Sequence, residues 1–98
     1  MVKAKVVWRD RALADTEHLY NFLSEKNVEA ARKSAQVILR GSLLLETSPR
    51  SGRPMADGTH RRELFIPFGS SFYVLRYFLY NDSTVVIIRV WHSRENRP

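Results

Sequence analysis

The sequence predicts an α+β fold, β-α-α-β-β-β, in which two N-terminal helices pack on one face of a small antiparallel sheet. Three observations lead there. Residues 72–80 (FYVLRYFLY) and 84–92 (TVVIIRVWH) are aromatic and β-branched runs separated by Asn81, Asp82 and Ser83, a hairpin signature. Between residues 11 and 46 apolar side chains recur at three and four, the helical period. Loosely alternating segments at 2–8 and 62–67 supply two more strands.

Val2 to Trp8 is β-rich and ends at the charged Arg9-Asp10-Arg11, where Asp10 is placed to cap a helix. From Arg11 to Lys26, Leu13, Tyr20 and Leu23, with Thr16 between them, mark the buried helical face, and Asp15, Glu17, His18 and Glu25 the polar one. Asn27 and Val28 break the pattern. Glu29 to about Glu46 reads as a second helix with Ala31, Ala35, Ile38 and Leu45 along one face, where small alanines let two helices approach closely. Pro49 to Gly58 is a loop by its Gly and Pro content. Arg62 to Pro67 sets Glu63, Phe65 and Pro67 against Leu64, Ile66 and Phe68, and Gly69-Ser70-Ser71 turns into the hairpin. The first strand joins a sheet edge beside the second or the last strand. A chain of 98 residues, 44% apolar, builds one domain over 1–98 with one core.

A two-residue turn at Asn81-Asp82 pairs Tyr80 with Ser83, Tyr77 with Val86 and Arg76 with Ile87. One face then collects Tyr73, Leu75, Tyr77 and Leu79 with Val86, Ile88 and Val90, uncharged and suited to burial under the helices. The other collects Phe72, Val74, Arg76 and Phe78 with Val85, Ile87, Arg89 and Trp91. Arg76 lies diagonal to Arg89 there, roughly 7–8 Å away at the backbone. Two like charges on one apolar patch admit two explanations: each guanidinium reaches water or a carboxylate of the chain, or the pair forms a site for an anion such as phosphate or for an acidic partner segment. A register slip of one residue would send Arg89 to the other face.

Sixteen Lys and Arg against ten Asp and Glu, a net charge of +6, favour an acidic partner: nucleic acid, a ribosome or an acidic protein. Every basic residue from Arg50 onward is an arginine, a bias toward bidentate contacts with phosphate or carboxylate. The absence of cysteine excludes disulfides, thiol catalysis and thiolate metal sites, and fits a reducing cytosol. No metal or cofactor is called for. With no signal peptide and no apolar run near the roughly 18 residues of a membrane span, the expected location is the cytoplasm.

Among single residues, His92 stands where the last strand runs out, beside Trp91 and two before Arg94. An imidazole can transfer a proton near neutral pH and arginines can hold a phosphate, although a strand-end histidine is more often solvated or bonded structurally. Arg61-Arg62 and Arg53 extend the basic rim or, for Arg61-Arg62, guard a strand edge against aggregation. Phe78 and Trp91, expected to be exposed beside arginine, resemble a base-stacking platform or a seat for an apolar segment. No Gly-rich phosphate loop, Ser/His/Asp constellation or histidine pair at metal-ligand spacing occurs.

Trp8 before Ala12-Leu13-Ala14-Asp15, Asn27 with Ala30-Ala31, Pro49 followed by Gly52-Arg53-Pro54, Arg62-Glu63-Leu64, Tyr73-Val74-Leu75-Arg76-Tyr77 and Arg89-Val90-Trp91-His92-Ser93-Arg94 follow one another in an order that resembles the RelE/ParE superfamily of toxins from type II toxin-antitoxin systems. The resemblance spans nearly the whole chain. It implies a compact toxin wrapped by a cognate antitoxin, with no cofactor, and it implies one of two activities. RelE-like members cleave mRNA on the ribosome; here His92 would be general acid or base, with Arg94 and Arg76 on the phosphate. ParE-like members inhibit DNA gyrase or topoisomerase IV without chemistry of their own. Val74 stands where RelE-like nucleases usually carry arginine, residues 61–75 hold no lysine, and no tyrosine follows Tyr80. These departures favour the ParE-like branch, with Arg53, Arg61, Arg62, Arg76, Arg89, Trp91, His92 and Arg94 as the surface toward the target, and Arg76, Phe78, Arg89 and Trp91 as a surface toward the antitoxin.

Overall fold

A computed structural model describes residues 3–98; Val2, where the first expected strand begins, lies outside them. The elements are β1 (Lys5–Trp8), α1 (Asp10–Ser24), α2 (Val28–Thr47), β2 (Arg53–Pro54), β3 (Arg62–Phe68), β4 (Ser71–Asn81) and β5 (Thr84–His92). They form one sheet in the order β1-β5-β4-β3-β2, with both helices against one face. β1 lies beside the last strand and runs parallel to it, Lys5 opposite Thr84 and Trp8 opposite Ile87. The other pairings are antiparallel, so the sheet is mixed where a purely antiparallel one was expected.

The helices form close to their expected spans, but their faces differ. α1 begins at Asp10, which is the first helical residue and not the cap; Arg9 occupies the cap position with no side-chain bond. In the first turn the Asp10 carboxylate still complements the helix dipole. The buried stripe is Ala12 and Leu19, with Leu23 half-buried, and the expected Leu13 and Tyr20 are exposed. The two candidate stripes are neighbours, one residue or about 100° apart, and the small Ala12 decides between them because α1 has to pack closely on both α2 and β5. In α2 the Asn27 side chain caps the helix by accepting from the Ala30 amide at 3.1 Å. Ala31, Ile38 and Leu45 are buried as expected, joined by Ser34, Gly41 and Ser42, whereas Ala35 faces out. A Cβ at Gly41 would run into the Ile66 side chain of β3, which would have to shift to admit it.

The predicted loop contains a short edge strand. Arg53 and Pro54 pair with Glu63 and Arg62, a position where the missing amide of proline costs nothing. On β3, Leu64 enters the core and Ile66 and Phe68 pack against it.

The hairpin carries the most consequential difference. Asn81 pairs with Thr84, so the turn is Asp82-Ser83, one residue later than expected, and the Asn81 carboxamide accepts from the Ser83 amide at 2.9 Å. Moving the turn by one residue shifts the pairing by two and alone would keep the faces; the irregularity at Tyr80, between the pairs Leu79–Val85 and Asn81–Thr84, is what turns Val85 and Ile87 toward the helices instead of Val86 and Ile88. Tyr77 pairs with Ile87 but Arg76 pairs with Arg89, leaving Ile88 as the extra residue of a bulge. A bulge restores the alternation it interrupts. Val90 therefore points into the core, and Arg89 and Trp91 share the open face with Arg76, as the sequence suggested for a different reason.

Candidate functional site

The helix-free face of the sheet is built around one carboxylate. Glu63 on β3 sits across from Arg76 on β4, and its Oε2 accepts from Arg76 Nε at 3.1 Å and Nη2 at 2.9 Å. Arg97 donates to the other carboxylate oxygen. Glu63 is 3% exposed and Arg76 6%. The third Arg76 nitrogen, Nη1, donates to the Pro98 carbonyl at 3.1 Å. Both guanidinium groups lie over Trp91, 4.8 Å and 5.8 Å from its ring centre, an arrangement in which the ring quadrupole attracts the cation. The expectation of an exposed Trp91 is thereby corrected: the tryptophan is buried, and Arg76 is held by Glu63 and lies over its ring.

Arg89 has its own acid. At the bulge the Val90 amide loses its strand partner, and Asp15 of α1 accepts from it at 2.9 Å while accepting from Arg89 Nε at the same distance. Arg11 approaches the second Asp15 oxygen at 3.5 Å. Arg76 and Arg89 face each other directly, a repulsive pairing on a sheet, and each is compensated by a different carboxylate. Of the two explanations for paired arginines, the geometry realises the one in which each finds a carboxylate of the chain.

The remaining arginines divide by role. Arg62 donates through Nη1 to the carbonyls of Arg50 (3.0 Å) and Gly52 (2.8 Å) and clasps the loop before β2. The same loop is held from inside by the Tyr77 hydroxyl, which donates to the Pro49 carbonyl and accepts from the Gly52 amide, both at 2.8 Å. Arg53 lies over Phe65, which meets Phe72 edge-on at 5.4 Å, an exposed aromatic corner. Arg61 is exposed, and Arg9 covers the half-buried Phe78 at 5.5 Å.

His92 and Arg94 belong to the other side. His92 pairs with Tyr73 across β4 and β5, and its ring meets the Tyr73 ring edge-on at 5.2 Å. Its Nδ1 accepts from the Arg94 amide at 3.1 Å, and its own amide donates to Glu95 at 2.9 Å. Both residues line a groove of about 440 Å³ with His18, Leu19, Phe22 and Tyr73, under the end of α1. The histidine-arginine set expected of a nuclease is therefore split across the sheet, with His92 on the helix side and Arg76 on the open side. Burial pushes the Tyr73 hydroxyl above its ordinary pKa, opposed by the Ser34 hydroxyl; burial likewise raises Tyr77, opposed by the Gly52 amide. Glu63, Asp15, Arg9, Arg11 and Arg97 hold places at the site that their sequence context does not assign them. An acid among arginines on β3 was the available signal for Glu63; the others depend on tertiary placement.

The model of the ParE toxin of type II toxin-antitoxin systems matches residues 6–97. The chain belongs to this family. Among curated proteins it is similar to Toxin RelE1 of Caulobacter vibrioides, 37% identical over 87 residues that cover 89% of this chain and 90% of that one. Toxin RelE3 of the same organism is 36% identical over 87 residues, covering 89% and 91%. Among solved structures, the chromosomal ParDE system of P. aeruginosa superposes with a TM-score of 0.72 at 16% identity over 92% of this chain and 96% of that one. The RelBE2 toxin-antitoxin complex of Mycobacterium tuberculosis gives 0.63 at 22% identity, covering 97% of each. The chain is thus a type II toxin of the RelE/ParE superfamily, and its fold is that of both groups.

Proposed function

We propose that this toxin is a ParE-like inhibitor that arrests growth by binding a type II DNA topoisomerase, DNA gyrase first, without chemistry of its own. The observation that carries the reading is the separation of His92 and Arg94 from Arg76 by the thickness of the sheet, together with the commitment of Arg76 to Glu63. Phosphodiester cleavage needs a proton-transfer group and charge-stabilising cations converging on the same phosphate, and Arg76 cannot join His92 and Arg94 at one. The open face, with Arg53, Arg61 and Arg89 around the Glu63 centre, is the surface toward the target. A cognate antitoxin, as in the ParDE and RelBE2 complexes of similar fold, neutralises the toxin by covering Phe78 and Arg89 among others.

A RelE-like, ribosome-dependent mRNA endonuclease is the second reading, favoured by the names of the curated relatives. In it His92 and Arg94 would act on RNA entering the groove on the helix side. A translation extract supplied with the purified toxin separates the two. Intact mRNA by primer extension is expected, and cuts at codon boundaries would install the nuclease instead.

A further inference from the structure

We propose that a second feature of the open face, a cleft where β1 passes into α1, grips the phosphate backbone of duplex DNA. The cleft has a volume of about 420 Å³ and is lined by Arg9, Arg11, Arg61, Arg76, Phe78 and Arg89, among others. It crosses the sheet from the end of β1, over β5 and β4, to the residue before β3. At the usual strand spacing that is about 14 Å, enough to meet more than one phosphate of a strand that rises about 3.4 Å per nucleotide.

Three properties select the ligand. Positive charge exceeds its compensation: Asp15 serves Arg89 and Arg11, Glu63 serves Arg76 and Arg97, and Arg9 and Arg61 have no ion-pair partner among the described residues. Guanidinium forks match phosphate oxygens in pairs. Beside the arginines the lining is Phe78, Ile88 and Pro98, with no histidine, tyrosine, aspartate or glutamate side chain, so the cleft holds a phosphodiester without a side chain to move a proton. No ring at the cleft is free for a base: Arg9 covers Phe78, and Arg76 with Arg97 covers the neighbouring Trp91. Single strands are usually held by stacking on open aromatic faces, whereas a duplex presents backbone. The choice of DNA also rests on the topoisomerase reading above, since that enzyme is engaged on duplex DNA when a toxin would meet it.

Fluorescence anisotropy of a short labelled duplex with the intact toxin tests the cleft. Binding is expected to weaken with salt, and the exposed double variant Arg9→Gln/Arg61→Gln should lose about tenfold or more in affinity. It should also lower the log-log salt slope by about two, since each lost phosphate contact removes about 0.9. The charge-matched Arg32→Gln/Arg40→Gln variant on α2 should bind as wild type. Equal losses in both variants, absence of duplex binding, or tighter binding of single-stranded RNA would each overturn the cleft. The same preparations are scored for gyrase supercoiling. Inhibition without duplex binding would discard the cleft and keep the topoisomerase reading; duplex binding lost in Arg9→Gln/Arg61→Gln without gyrase inhibition would do the reverse.

Discussion

Arg76 aims two of its nitrogens at a single oxygen of Glu63, 3.1 Å and 2.9 Å away, and neither side chain is more than 7% exposed. A buried pair of this kind contributes little net stability over apolar residues of equal volume, but removing one partner strands the other charge. Glu63→Ala should therefore cost about 3–5 kcal/mol, and Glu63→Leu combined with Arg76→Met should recover most of it. Urea unfolding of the two variants gives the comparison. Equal losses in both would mean that the carboxylate does not compensate Arg76.

Asp15 joins α1 to the bulge. Asp15→Ala leaves the Val90 amide without a partner and releases Arg89, and the expected cost is about 1–3 kcal/mol. Hydrogen exchange at Val90 should accelerate ahead of its neighbours in β5. An unchanged Val90 rate would mean that the amide is protected by something other than this carboxylate.

Tyr77 holds the 49–52 loop from the core side, and a Cβ at Gly52 would lie 2.6 Å from its hydroxyl. Tyr77→Phe removes both hydrogen bonds and should destabilise by about 1–3 kcal/mol. Gly52→Ala should cost a similar amount through overpacking. Thermal melts of the two single variants and of the double variant, in which the hydroxyl clash is gone but the ring Cε1 still lies 2.6 Å from the added Cβ, should show slightly less than additive loss.

The tyrosines also set an alkaline limit. Burial raises Tyr73 and Tyr77 above the ordinary value near 10, so the folded chain holds protons that the unfolded chain releases. Their contribution is complete below about pH 10 and is lost as pH rises through the folded values. Melting temperature should be insensitive to these groups at about pH 8 to 9 and fall beyond about pH 10. A Tyr73→Phe/Tyr77→Phe variant, less stable throughout, should show a shallower fall.

His92→Ala separates the two activities without touching the open face. Under the binding reading, growth arrest on induction should persist with less than a threefold change in inhibitory dose. A nuclease losing its general acid or base would drop by about 100-fold or more.

Much of this was legible in the residues. The order of elements follows from two periodicities and two turns, and the assembly of Arg76, Arg89, Phe78 and Trp91 on one face was visible from the hairpin alone. It was reached through the wrong register. Alternation fixes a face only if no residue is extra, and here an extra residue at Tyr80 flips the faces and the bulge at Ile88 flips them back, neither of which any local pattern announces. The helix 1 face failed for a related reason: Ala12/Leu19 and Leu13/Tyr20 are adjacent stripes of similar composition, and the close approach of α2 decides between them. Glu63 and Asp15 escaped notice because their partners lie 13 and 74 residues away in sequence. Consequently the arginines were legible as a group, but which of them are neutralised within the fold was not.

The supercoiling reaction of purified DNA gyrase on relaxed plasmid, titrated with the toxin alone, tests the central claim most directly. A dose-dependent loss of supercoiled product, reversed by the cognate antitoxin, is the predicted result. Full supercoiling at a large molar excess of toxin that still arrests growth in cells would contradict it.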